Sequence, residues 1–401
     1  MMPNVKWRWS LAGLMLAPLV AGVDEQSAYV RAQADFGARL FRAVAAGRRD
    51  KNVFLSPAGA FLALGMAYSG AAAGTRQAIG RTLGVGAPAP EALGRSIEST
   101  LRDLRSDSAT TIAIANSLWA QRGAPLLDDF TRQLRQHFGA EVASLDLTSG
   151  EAVSRINAWV SRATRGKIPK MLNEPLSGQD VAVLLNAVYF KGKWLDAFNS
   201  SATKPRPFHV AGGGTADRPA MTRTGRYAYA RRPGFQVIRL PYRGHRFSMY
   251  VLLPDSGRTV AAVYDALSPS AMSAWLGKLG EANVHVVLPR FKLELETELK
   301  APLAALGMRV AFDAQRANFS GMLPRSYLER HNAFISRAWQ KSFVEVNEEG
   351  TEAAAATGIE MSVTAVQASP IEFVVDRPFL VVLRDERSGV PLFMGQVVDP
   401  R

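Results

Sequence analysis

The chain has 401 residues, 47% hydrophobic and 21% charged, which supplies a large core and argues against a disordered polymer. It contains no cysteine, and this excludes disulfides, zinc–thiolate sites and thiol nucleophiles together. A net charge of +13 favours polyanions in general, but the basic stretches are dispersed over Arg162, Arg165, Lys167 and Lys170, then Lys204 and Arg206, then Arg223, Arg226, Arg231 and Arg232. A solvated basic surface is therefore expected, with at most weak polyanion binding and no specific nucleic-acid site.

At the N-terminus Lys6 and Arg8 precede an apolar run over residues 9–20 and then the small pair Ala21 and Gly22, the layout of a cleavable secretory signal. The run is too short to span a bilayer comfortably, and without cysteine no lipid anchor is available. Residues 1–22 are expected to be removed. No linker or internal repeat divides residues 23–401, so one exported, soluble domain is predicted, secreted or periplasmic and off the membrane.

Helical spacing of Tyr29, Ala32, Phe36, Leu40, Phe41 and Val44 predicts an amphipathic helix over residues 24–47. Ser56 then caps a helix begun by Pro57, and residues 58–68 are apolar nearly all round, as in a buried helix. Further helices fit 74–83, 90–105, 126–137 and 150–165, with buried strands at 110–119 and 181–190 between them. Strands dominate the second half: 236–242 with 246–253 as a hairpin, one or two strands over 283–296 broken at Pro289, and 379–384 with 391–398 as a terminal hairpin. Two short helices are expected at 298–306 and near Asn318, and 329–347 is mixed. The class is α+β, with helices mostly early and antiparallel strands mostly late.

Nothing in the motifs points to catalysis. The histidines at 137, 209, 245, 285 and 331 lack metal-ligand spacing, and no HExxH, Walker loop, GxSxG elbow or GxGxxG after a strand occurs. No enzyme activity, metal or cofactor is predicted.

The most informative stretch is Glu348-Glu349-Gly350-Thr351-Glu352-Ala353-Ala354-Ala355-Ala356-Thr357. Taken locally it favours a helix, with Thr351 as cap, Glu352 in the first turn and four alanines behind. Laid out with the period of a strand, residues 351–364 instead place Thr351, Ala353, Ala355, Thr357, Ile359, Met361 and Val363 on one face and both carboxylates on the other. This is the pattern of a half-buried strand whose first core-facing side chains are small.

Read with its flank Glu345-Val346-Asn347, this stretch resembles the hinge of the serpins, inhibitors that trap proteases with a mobile reactive loop. Other blocks are similar in order: residues 52–57, Ala115-Asn116-Ser117-Leu118-Trp119, the segment 185–194 ending in Lys193-Trp194, Ala317-Asn318-Phe319-Ser320-Gly321-Met322, Arg377-Pro378-Phe379-Leu380 and residues 392–397. The resemblance implies a fold of about nine helices packed around three β-sheets, with an exposed reactive-centre loop near 348–370. It also implies a suicide mechanism, in which the cleaved loop enters the main sheet as a new strand and carries an acylated serine protease with it. Thirteen steps from Thr351 to Thr364 give roughly 43 Å of strand, long enough to cross a domain.

By the same resemblance the scissile bond lies fourteen residues past the hinge glycine, at Thr364-Ala365, with Met361 or Val363 as alternatives. No Lys or Arg occurs between Gly350 and Asp376, which disfavours trypsin-like targets and favours elastase-like or subtilisin-like serine proteases. Ser56, Asn186, Trp194 and Gln340 are the implied sheet-opening residues, and Gln340 stands where the family usually has histidine. The competing reading is a non-inhibitory serpin acting as a binding or carrier protein, which the small hinge residues disfavour. A monomer from a prokaryotic source completes the expectations.

Overall fold

The computed structural model describes residues 17–178, 180–351 and 369–401. Residues 352–357 of the hinge, and Met361, Val363, Thr364 and Ala365, lie outside that range. The first half of the chain runs α1 (Ala17–Ala46), β1 (Val53–Leu55), α2 (Pro57–Gly70), α3 (Ala73–Leu83), α4 (Pro90–Arg105), β2 (Thr111–Gln121), α5 (Asp128–Phe138), β3 (Glu141–Leu145), α6 (Gly150–Ala163) and β4 (Ala182–Lys193). The second half adds β5 (Lys204–His209), β6 (Thr215–Arg232), β7 (Phe235–Pro241), β8 (Phe247–Pro254), α7 (Val260–Asp265), α8 (Pro269–Leu276), β9 (Gly280–Pro289), β10 (Phe291–Glu298), α9 (Lys300–Leu303), α10 (Arg325–Leu328), β11 (Trp339–Asn347), β12 (Gly350–Thr351), β13 (Ile371–Val374), β14 (Phe379–Asp385) and β15 (Pro391–Val397). None of the described helices is long and apolar enough to cross a membrane.

The strands form two hydrogen-bonded networks. The first is a six-stranded sheet in the order β10-β11-β12-β4-β2-β3. In the second, β1-β15-β14-β8-β7-β6-β9-β13, with β5 also on β6, two sheets are joined because the 18-residue β6 serves both. Residues 220–229 of β6 pair with β9 and residues 228–232 pair with β7. Divided at β6, this network and the six-stranded sheet make the three sheets expected.

Burial explains which elements were legible. Ser56 accepts a 3.0 Å hydrogen bond from Gly59 N, Pro57 occupies the first turn, and α2 is buried on nearly every side. It lies under the six-stranded sheet, with Gly59 so close to β4 that an added Cβ would fall 2.1 Å from Asn186 Oδ1. On α4 the buried residues Leu93, Ile97, Leu101 and Leu104 follow helical spacing. β8 and β15 are buried along their whole lengths, which is why they read as continuous apolar runs.

Several expectations are corrected. No helix forms near Asn318, because its side chain accepts from Ser320 N at 3.0 Å and its backbone is tied to Thr75 Oγ1 and Ala72 N, which makes a turn. The helix expected over 298–306 does form, as α9 and a wider-wound turn that continues it over Ala304–Met308, with a kink at Gly307, φ 115°. The first helix is described over Ala17–Ala46, longer than the 24–47 expected. β5, β6 and β13 escaped the sequence reading: Pro205, Pro207, Pro219 and Gly225 interrupt the first two, and the third is four residues long.

Candidate functional site

Two residues of the predicted hinge are already a strand. Gly350 and Thr351 form β12, wedged between β11 and β4 and antiparallel to both, with Thr351 opposite Val346 on one side and Gly192 on the other. Gly350 sits at φ 151°, where a Cβ would lie 2.0 Å from Gly192 O and 2.8 Å from Lys193 Cα. Both the backbone angle and the space therefore require glycine.

The hinge is fastened from several directions. Trp194 N donates to Glu349 O at 2.8 Å, Phe198 N donates to Glu348 O at 2.8 Å, and Trp194 Nε1 donates to Asn347 O at 2.9 Å. Thr351 is buried, and its Oγ1 lies 2.6 Å from the hydroxyl of Tyr242. The Tyr242 ring stacks on Trp194 at 4.5 Å and 17°. Burial drives the Tyr242 phenol pKa upward, only partly offset by the Thr351 hydrogen bond, so the phenol stays neutral.

Glu348 is the charged member. Only 6% exposed, its carboxylate accepts from Arg290 Nε at 2.7 Å and from Thr203 Oγ1. Burial alone would raise its pKa, but the hydrogen bonds from Arg290 and Thr203 outweigh that and hold it below the ordinary glutamate value.

A second cluster lies lower in the sheet. Gln340 makes a paired contact with the backbone of Ser56, accepting from its N–H at 2.7 Å and donating to its C=O at 3.0 Å. Ser56 Oγ donates to Leu392 O at 2.7 Å. Asn186 Nδ2 donates to Asn116 Oδ1 at 2.8 Å, and Asn116 Nδ2 to Phe138 O at 2.8 Å, which joins β4, β2 and the end of α5. Among the described residues, the buried Asn186 Oδ1 has no hydrogen-bond partner. It lines a cavity of about 110 Å³ between α2, the start of β4 and the segment leading into β11, walled by Ala63, Ala182, Leu184 and Ala338 among others.

Of the predicted site residues, the structure thus joins Ser56 to Gln340 and sets Asn186 on the same cavity as Gln340. Trp194 belongs instead with Glu349, Gly350 and Thr351 at the top of the sheet. Sequence reasoning missed Tyr242, Arg290 and Thr203, which reach the hinge from remote strands and loops and carry no local mark of it.

A family model described as "Serpin (serine protease inhibitor)" matches residues 31–400. The chain is 36% identical over 396 residues to Iripin-2 of the tick Ixodes ricinus, covering 97% of this chain and 98% of that one. It is 33% identical to Serpin-Z1C of Triticum aestivum (92% and 95% covered) and 32% identical to plasminogen activator inhibitor 1 of Sus scrofa (95% and 94%). Among solved structures it resembles the native state of the thermophilic serpin Tengpin, with TM-score 0.85, 26% identity and 92% and 94% coverage. It also resembles native protease nexin-1 with heparin, with TM-score 0.81, 27% identity and 94% and 99% coverage. Relatives from a tick, a plant and mammals lend no support to a prokaryotic source. With a serpin hinge seated at the top of a serpin main sheet, and matches that span nearly its whole length, the chain belongs to the serpin family of protease inhibitors.

Proposed function

We propose that this serpin is an exported, monomeric suicide inhibitor of elastase-like or subtilisin-like serine proteases, cleaved at Thr364-Ala365. The observation that carries the reading is the register of β12. Continued without a bulge, each residue after Thr351 moves one step back along β4 and β11, so residue 357 falls between Asn186 and Gln340. Thr357 would then bring a hydroxyl to the unpartnered Asn186 Oδ1. Ile359 and Met361, on the face that Thr351 starts, would fill the cavity walled by Ala182, Leu184 and Ala338.

The driving force follows from what the open lane lacks. Strand pairing along β4 and β11, and burial of the loop's apolar face, are unrealised until the loop enters, so the uncleaved state is held by kinetics and cleavage releases it. An acylated protease is dragged along before water can complete hydrolysis. The absence of Lys and Arg from the loop, and Thr364 behind Val363, suit a shallow apolar specificity pocket. Removal of residues 1–22 and weak polyanion binding are part of the same proposal.

Incubation with elastase, subtilisin and trypsin tests it on a denaturing gel. A stable covalent adduct with the first two is expected, and mass spectrometry of the released peptide should begin at Ala365. Cleavage by all three without any adduct would instead favour the carrier reading.

A further inference from the structure

The lower end of the insertion lane is closed by a buried carboxylate. Asp180, 4% exposed at the foot of β4, accepts a hydrogen bond from Ser336 Oγ on the segment leading into β11 and another from Ser177 N at 2.9 Å. Ser336 is anchored on its other side, since its carbonyl accepts from Lys300 Nζ at 3.2 Å. Directly above this pair the lane is the apolar cavity, lined by Val181, Ala182 and Val183 on one side and by Phe334, Ile335 and Ser336 on the other.

At the top β12 already holds β4 and β11 apart, and in the middle Gln340 is bonded to α2 rather than to β4. The Ser336–Asp180 bond does cross the lane. Neighbouring strands lie about 4.8 Å apart, so a strand placed between them doubles the gap and no hydrogen bond can span it. Extending the β12 register sets residue 361 beside Ser336 and residue 363 beside Asp180, the last positions before the proposed cleavage site.

We propose that the Ser336–Asp180 bond is a clasp broken only in the final stage of loop insertion, and that it sets how often an acylated protease is carried the full distance rather than released. Ser336 and Asp180 are positioning residues here, since neither touches the reacting bond. A charge-assisted hydrogen bond to a buried carboxylate costs more to break than a neutral one, and the cost falls on the last steps of insertion, while hydrolysis of the acyl link competes. Partial insertion, as far as the cavity, leaves the clasp intact.

This rests on the inhibitory reading, and one experiment separates the two. The full chain and its Ser336→Ala, Ser336→Thr and Asp180→Asn variants are reacted with excess subtilisin, and the ratio of covalent adduct to cleaved free inhibitor is measured beside the rate of loop cleavage. With Ser336→Ala the ratio should rise about tenfold or more at an unchanged cleavage rate, as expected for loss of one hydrogen bond to a charged group. Ser336→Thr, which keeps the hydroxyl, should restore the parent ratio. Asp180→Asn, which keeps an acceptor without the charge, should fall between and serves if Ser336→Ala does not fold. An unchanged ratio with a lowered denaturation midpoint would make the bond purely structural and overturn the clasp alone. No adduct from the parent protein would overturn the inhibitory reading and the clasp with it.

Discussion

Tyr242 and Thr351, 109 residues apart in the chain, share a 2.6 Å hydrogen bond beneath the indole of Trp194, and this contact fixes the buried Thr351 side chain in the core. It ties a residue of the loop to the sheet behind it. Gly350 and Thr351 are therefore already strand residues, and the proposed inhibition should be sensitive to them.

Thr351→Arg should convert the protein from inhibitor to substrate. The side chain would have to place a guanidinium against Tyr242 and Trp194, both buried, so the loop is expected to remain outside and be cleaved without trapping. A loss of covalent adduct of at least about tenfold, with cleavage itself preserved, is expected on a denaturing gel from a penalty above about 1.4 kcal/mol. Gly350→Ala should act in the same direction, since its Cβ would meet Gly192 O at 2.0 Å. Full trapping by either variant would contradict insertion from this point.

The Glu348–Arg290 pair should weaken in acid. The Glu348 pKa lies below the ordinary 4.5, so its contribution is fully present above pH 4.5 and is lost as pH falls through the lowered folded-state value. Asp399, held low beside Arg218 and Arg401 despite its burial, titrates in the same direction, so the parent alone does not isolate Glu348. The difference between parent and Glu348→Gln does. Denaturation midpoints of the two should differ most above pH 4.5 and converge below it.

Gln340→Ala should loosen the sheet from α2. The change leaves the buried Ser56 N–H without a partner, at a cost of about 1–3 kcal/mol. Gly59→Ala attacks the same contact sterically, with a new methyl 2.1 Å from Asn186 Oδ1 and 2.8 Å from Val188 Cγ2, and overpacking of this kind costs about 1–3 kcal/mol. Both should lower the denaturant midpoint and hasten spontaneous loss of inhibitory activity on warming. Unaltered midpoints in both would show that this cluster does not hold the sheet closed.

Target choice should move with the loop. Thr364→Arg supplies the long cation that trypsin-like pockets require, and adducts with trypsin are expected to appear as those with elastase fade. If the released peptide still begins elsewhere than residue 365, the bond lies at Met361 or Val363.

Much of this was legible in the amino-acid order. Elements that bury one face or both, such as α2, α4, β4, β8 and β15, carry periodicity because burial selects apolar residues at fixed spacing. Gly350 and Thr351 are strand residues with Thr351 buried, in keeping with the strand layout read from the sequence for that position. Edge and connecting strands such as β5 and β13 were not legible, since exposure on one side and interruption by proline leave no period to read.

The sequence by itself determined the α+β class, the stretch without basic residues after Gly350 and the family resemblance, because each is written in neighbouring residues. Only the tertiary structure decided that Gly350 and Thr351 pair with both β4 and β11, that Gln340 bonds Ser56, and that Tyr242, Arg290 and Thr203 reach residues 348–351. Those relations join residues tens to hundreds of positions apart, and the energy of each depends on burial and distances that exist only once the sheets have packed.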